Sequence, residues 1–488
     1  MTASTASATR CWAPRSSCPS EAGRITSPVS PPPSLQERLR QDGIDTLLVQ
    51  FTDVHGCAKG KLVPLTHLDD VLGIGAGFAG PSIWGTGLPR TGPRSEYHAV
   101  GDPATVQPLP WLPRVARIVG DGHVGGQPFE ACPRQVLRRA TARLRERGWT
   151  LRTGIEPEFF LLRRAGDGRW VPADDGDRLD KPSYDLKSLG RQAGFLQEFA
   201  AALQACGLDV LQVDHEDAHG QYEVNFAHAE ALASADHLML FKLAAHALAE
   251  ARGWVFSMMP KPFAEQPGSG MHFHVSLWED AADGGCLFDP GLAGAAAVTK
   301  DNARAPRPDL SPLGRHFIAG VLHHAPALAA LAAPTVNSYK RLALGDSITG
   351  TTWAPVCIAH GPNNRTALVR TLPGRFEWRL PDAAANPYLV TATLIAAGLD
   401  GVDRALDPGP ARTEDLFELG PRGWQARGLA VLPASLGEAL DALEADDVVQ
   451  AALGPELARE FLRLKREEWR AWSQHVSPWE LERYAAAF

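Results

Sequence analysis

Paired cysteines are missing from this chain of 488 residues: its seven cysteines are scattered, with no CxxC pair and no framework spacing. That excludes a disulfide scaffold and a Cys-rich metal site, and it fits a reducing compartment. Long basic runs are also absent, and 48 Lys and Arg against 56 Asp and Glu leave a net charge of −8. A nucleic-acid partner is therefore not expected. No stretch approaches the ~20 apolar residues of a membrane span, and the start lacks the apolar core of a secretory signal. A soluble, cytoplasmic protein without a membrane partner is expected. There is no internal repeat and no regular βαβ alternation, so a mixed α+β architecture is favoured over a doubly wound sheet.

What is present divides into three parts. Residues 1–34 are rich in Ser, Thr, Ala and Pro and end in a Pro-Pro-Pro run; too little apolar surface is available to offset ordering, so a disordered leader is expected. A first domain is placed at 35–125. It holds a short helix, the β-rich run Thr46 to Thr52, a turn at Asp53 to Gly56 and a return strand near Lys61 to Pro64. Glycine and proline from Gly73 to Pro113 suggest loop over a small sheet. A larger domain, 126–488, opens with helical periodicity over Pro133 to Arg147, capped by Gly148. Its strands are expected around 153–162, 270–277 and 375–380, and helices around 229–252, 311–332 and 387–405.

The chemistry lies in those strands. Residues i and i+2 share a strand face, so Glu156 with Glu158, His272 with His274, and Arg375 with Glu377 and Arg379 each put paired polar groups on one side. Glu216 and Glu223 flank a glycine-containing segment nearby. Five glutamates and a histidine converging on one cavity cannot all stay ionised without cations. An oxygen-dominated donor set points to Mg²⁺ or Mn²⁺, and such a site beside Arg341, Arg365, Arg370 and Arg379 implies a nucleotide. Taken singly, each motif has a bland alternative in a solvated face or an exposed salt-bridge ladder; their joint occurrence argues for a site.

In order along the larger domain, Glu156-Pro-Glu-Phe-Phe-Leu161, Gly220-Gln-Tyr-Glu223, Met259-Pro-Lys-Pro-Phe263, Gly268-Ser-Gly-Met-His-Phe-His274, Asn337-Ser-Tyr-Lys-Arg341, Asn364-Arg-Thr-Ala-Leu-Val-Arg370 and Arg375-Phe-Glu-Trp-Arg379 resemble the glutamine synthetase family. The resemblance implies a small N-terminal β-grasp domain and a larger, split-barrel-like catalytic domain with an antiparallel sheet. It also implies a homo-oligomer of stacked rings, with active sites completed between subunits. The implied activity is that of an ATP-dependent carbon–nitrogen ligase, which activates glutamate as γ-glutamyl phosphate. Residue by residue, one metal would take Glu158, Glu216 and Glu223, and the other Glu156, His272 and Glu377. His274, Ser276, Arg365 and Arg370 match nucleotide and phosphoryl contacts, while Gly268, Arg341 and Arg379 match the glutamate site. Arg365, Arg341, Glu158 and Tyr184 form the implied catalytic set.

Two departures bear on the acceptor. Ammonium-using members carry an aspartate where this chain has Ala79, and a glutamate where it has Trp353 before Ala354-Pro355. Losing two carboxylates and gaining an indole suits an alkylammonium better than ammonium. These runs look like the branch of type III glutamate-ammonia ligases and γ-glutamylmethylamide synthetases. The expected acceptor is methylamine or another small alkylamine, in a pocket of Ala79, Trp353 and Tyr184. If neighbours such as Asp346 replace the lost charge, ammonium remains the acceptor. Two other classes are open: a non-catalytic structural oligomer, which retention of every metal-site residue argues against, and a metal-dependent guanidino kinase, disfavoured by the Asn-Ser-Tyr-Lys-Arg segment.

Overall fold

The computed structural model describes residues 33–281, 284–291, 309–342 and 353–488. Apart from Pro33 and Ser34, the leader expected at 1–34 lies outside the described residues.

The first sheet has six strands: β1 (Thr46–Thr52), β2 (Ala58–Pro64), β3 (Ala76–Ala79), β4 (Glu96–Pro108), β5 (Val115–Val124) and β6 (Gln127–Pro128). Its order is β2-β1-β5-β4-β3 with β6 on β5; β1 and β5 run parallel and the other pairs antiparallel. Alternation places Leu47, Val49 and Phe51 of β1 in the core, whereas β2, at the edge, is mostly exposed. The Gly- and Pro-rich stretch from 73 to 113 contributes β3 and the 13-residue strand β4 to this sheet, with loop between and after them. Glycine signals close approach here: a Cβ on Gly101 would fall 2.6 Å from Ile118 Cδ1, and one on Gly120 would fall 2.7 Å from Ala99 Cβ.

A second sheet of ten strands contains β7 (Trp149–Arg164), β8 (Trp170–Pro172), β9 (Val210–His215), β10 (Gln221–Phe226), β11 (Ala229–Glu230), β12 (Val255–Ser257), β13 (Met271–Glu279), β14 (His360–Pro362), β15 (Val369–Leu372) and β16 (Arg375–Trp378). Its path is β14-β15-β16-β13-β7-β10-β9, with β8, β11 and β12 also pairing with β7; only the β14–β15 pair is parallel. Helices Pro133–Arg145, Ala231–Glu250 and Pro387–Asp403 pack against this body. The helical stretch expected at 311–332 is two helices, Pro312–His323 and Ala325–Ala332. Pro326 has no N–H to continue the first helix. His324 at the junction bonds Asp446 at 2.6 Å and Asp400 at 3.0 Å.

Two buried side chains tie the first sheet to these helices. Arg134 pairs with Asp236 at 2.7 Å, Asp121 at 2.8 Å and Asp102 at 2.9 Å, and Tyr388 Oη donates to the same Asp236 at 2.7 Å. Burial opposes the Arg134 charge, but these carboxylates outweigh it and hold the guanidinium above its usual range. Asn386 accepts from the N–H groups of Tyr388 and Leu389 as a helix cap, and donates to Asp53 O at 2.9 Å in the β1–β2 turn.

Candidate active site

Strand register explains why the acidic and basic residues meet. In β7, Glu156 and Glu158 lie on one face while Ile155, Pro157 and Phe159 line the buried other face. Antiparallel pairing sets His272 opposite Glu156, His274 opposite Glu377, Arg370 opposite Glu377, Glu223 opposite Glu158 and Asp214 opposite Glu223. Directly opposed residues have neighbouring Cβ atoms, so one polar stripe crosses β9, β10, β7, β13, β16 and β15. It opens on a cavity of about 420 Å³.

All six expected metal ligands, Glu156, Glu158, Glu216, Glu223, His272 and Glu377, line that cavity, together with Tyr184, Trp353, Arg365, Arg370 and Arg379. Among the described residues, its lining does not include Gly268, His274, Ser276, Arg341 or Ala79. His274 is nevertheless bonded to Glu156 at 3.1 Å and lies beside the cavity. Gly268 and Arg341 sit behind the wall: a Cβ on Gly268 would meet Pro260 O at 2.3 Å, and Arg341 donates to Leu380 O at 3.0 Å. Ser276 accepts from the Trp278 indole at 2.9 Å. Ala79 ends β3, in the other sheet. Asp346 lies outside the described residues.

The tightest donor sets differ in membership from the two triplets that the resemblance implies. Glu156, His274 and Glu377 present ligand atoms within 4.8 Å of one another, and so do Asp214, Glu216 and Glu223. His272 stands close to the first set, 3.5 Å from Glu377 and 4.0 Å from Glu156. Glu158 stands beside the second set, opposite Glu223, and accepts from Gly270 N at 2.8 Å and Gln221 Nε2 at 3.0 Å. Asp214 was missed in the sequence, although the same i, i+2 alternation that flagged Glu156 and Glu158 relates it to Glu216.

Burial and mutual repulsion shape the charges. Desolvation, then Glu158 and Asp214, push Glu216 well above the ordinary carboxylate range; desolvation, then Glu216 and Glu156, do the same to Glu223. Glu158 rises to about 7 and Asp214 to about 6, both chiefly through burial. Glu377 is opposite in sign: burial opposes its charge, but Arg379, His272, His274 and the Arg370 hydrogen bond outweigh it and hold the carboxyl down at about 2. Arg370 donates to it at 2.8 Å and Arg379 at 2.5 Å. Burial, then Arg379, keep His272 well below 6.5, as the neutral imidazole that binds metals. Carboxylates forced upward by burial and by one another, with the neutral His272 imidazole at hand, fit divalent cations that would relieve the repulsion.

A larger cavity, about 690 Å³, lies between the β1–β2 turn and helices Ala231–Glu250 and Pro455–Ser473. Met239, Leu243, Phe256, Met258 and Phe461 dominate it, and it carries no paired carboxylates for metal or phosphate chemistry.

Comparison with known proteins agrees with this geometry. The glutamine synthetase catalytic domain family matches residues 130–484. The chain is 47% identical over 464 residues to a glutamate–methylamine ligase of Methyloversatilis universalis, covering 94% of this chain and 100% of that protein. It is 38% identical over 442 residues to a glutamine synthetase of Rhizobium leguminosarum bv. phaseoli, covering 90% and 96%. A solved GmaS/ADP complex in its conformation 1 superposes with a TM-score of 0.83 at 38% identity, covering 93% of this chain and 99% of that one. Apo GmaS without ligand gives 0.80 at 36% identity, with the same coverage.

Proposed function

Because the chain belongs to the glutamine synthetase family and is an ATP-dependent carbon–nitrogen ligase, we propose that it joins the γ-carboxylate of glutamate to methylamine or another small alkylamine. One observation carries the choice of acceptor: an indole, Trp353, lines the cavity, where the resemblance to ammonium-using members implies a glutamate. The 47% identity to a glutamate–methylamine ligase supports the same reading.

Two divalent cations, Mg²⁺ or Mn²⁺, would be held by Glu158, Glu216 and Glu223 with Asp214, and by Glu156, His272 and Glu377 with His274, supplying positive charge beside the nucleotide phosphates. Arg365 lines the cavity and makes no hydrogen bond among the described residues, which leaves its donors for the transferring phosphoryl group; Arg370 flanks it. Ser276 extends the nucleotide side along β13. Arg379 in the cavity wall, backed by Arg341 and Gly268, orients glutamate, so that a γ-carboxylate oxygen attacks the terminal phosphorus in line and ADP leaves. The neutral amine then attacks the γ-carbonyl carbon of the acyl phosphate; phosphate leaves and the nitrogen sheds a proton. Tyr184 and Trp353 line the cavity where that step takes place.

We read residues 35–125 as a β-grasp domain and 126–488 as the catalytic domain. The chain acts in the cytoplasm as stacked rings, with Ala79 presented to a neighbouring subunit's amine pocket; among the described residues no helix is long and apolar enough to cross a membrane. A second reading, ammonium as acceptor, draws on the acidic lining at Asp214, Glu216 and Asp217 and on the 38% identity to a glutamine synthetase. Steady-state kinetics with a panel of amines decides between them. One methyl group in an apolar pocket is worth about ten- to two-hundredfold in kcat/KM, so methylamine should lead ammonium within that range. Ammonium as the better acceptor would refute the alkylamine reading.

A further inference from the structure

Asp217 differs from the carboxylates around it. Asp214, Glu156, Glu158 and Glu223 project from strands, whereas Asp217, like Glu216 before it, lies in the turn between β9 and β10 and lines the cavity. Its two oxygens are held from two other segments. The Ser183 hydroxyl donates to Oδ1, and the Trp353 indole N–H donates to Oδ2 at 2.6 Å. Both donors are neutral, so they orient the carboxylate without cancelling its charge. Arg370 and Arg379 are engaged with Glu377 instead. Tyr184, next to Ser183, lines the same cavity; its backbone sits in the left-handed region at φ +62°, with its N–H donating to His215 O at 2.9 Å.

The result is an oriented carboxylate flanked by an indole and a phenol. A carboxylate accepts from ammonium N–H groups, and aromatic faces attract a methyl-bearing cation, so this combination suits an alkylammonium. Resting on the acceptor reading above, we propose that Asp217, aimed by Ser183 and Trp353, is the anionic arm that binds the incoming amine and sets its specificity. It provides the negative charge that positions 79 and 353 lack. Trp353 then acts twice, as an apolar wall and as the donor that fixes Asp217.

The test uses the full-length enzyme with saturating ATP, glutamate and metal, and compares methylamine with hydroxylamine, an amine that is uncharged at neutral pH. In Asp217→Asn, the ratio of kcat/KM for methylamine over hydroxylamine should fall about ten- to a hundredfold, the range for losing one hydrogen bond to a charged group. The fall should enter through the KM for methylamine. Asp217→Glu should recover part of the ratio, and Trp353→Phe should lower it by less than Asp217→Asn. An unchanged ratio, or an equal loss with both acceptors, would overturn the proposal, since a merely structural carboxylate does not distinguish a charged from an uncharged amine. Ammonium as a third acceptor separates this from the reading it rests on. If the unmodified enzyme prefers ammonium, the alkylamine assignment fails; if the ammonium-to-hydroxylamine ratio still falls in Asp217→Asn, the arm stands.

Discussion

Gly270 packs directly against the proposed metal site. A Cβ built there would lie 2.8 Å from His272 Nε2, 2.9 Å from Glu158 Oε1 and 3.0 Å from Arg341 Nη2. All three atoms end flexible side chains, so the backbone tolerates the change while the side chains retreat. Each must move by roughly half an ångström to regain ordinary contact, which is the whole tolerance of a catalytic constellation. Gly270→Ala should therefore unfold about 1–3 kcal/mol more easily through overpacking. Its kcat should drop about ten- to a hundredfold, because a misplacement of about 1 Å costs up to about a hundredfold. The matched control is Gly190→Ala, in helix Leu186–Ala205, where an added Cβ meets nothing within 4 Å. That variant should gain about 0.5–1 kcal/mol by relieving backbone entropy, with activity unaltered. Urea unfolding, steady-state turnover and Mn²⁺-dependent thermal shifts measure all three quantities. Gly270→Ala with undiminished kcat and metal affinity would refute the reasoning, as would an equal loss of activity in Gly190→Ala.

Glu377→Ala should abolish turnover and metal-dependent stabilisation, since it removes the carboxylate that joins Arg370, Arg379 and His272; Glu37→Ala, at an exposed capping box, should leave turnover within about twofold, and equal losses in phosphate-release assays would contradict the site map. For His324, burial opposes protonation, but the bonds to Asp446 and Asp400 outweigh it and raise the group above 6.5. A raised folded value means that the stabilisation is fully present below 6.5 and is lost as pH climbs through that raised value. The stability difference between the unmodified protein and His324→Gln, followed by urea midpoints, should therefore shrink with rising pH; a constant or growing difference would count against the charged junction.

Much of the site was legible because strand alternation is a local rule. Glu156 and Glu158, His272 and His274, and Glu377 and Arg379 announce shared faces without knowledge of the fold. The first sheet was less legible, because a glycine that admits a neighbouring strand is indistinguishable in sequence from one that makes a turn. Gly101 and Gly120 sit inside β4 and β5, and only their contacts with Ile118 and Ala99 reveal the purpose. Asp214 was missed although the alternation rule reached it, and Asp217 lay beyond that rule, since its partners Ser183 and Trp353 are 34 and 136 residues away.

Sequence alone determined the types of group this protein brings to its chemistry: an acidic donor set, imidazoles, arginines and an indole. Side-chain character and strand period are written residue by residue, so they need no long-range information. Register and approach belong to the tertiary structure. Pairing of β7 with β10 and β13 decided which carboxylates face one another, and thus that Glu158 rises to about 7 while Glu377 falls to about 2. Their intrinsic acidity is identical. What separates them is which neighbours burial allows: two arginines bonded to Glu377, and around Glu158 a desolvated cavity whose arginines do not offset the loss of water.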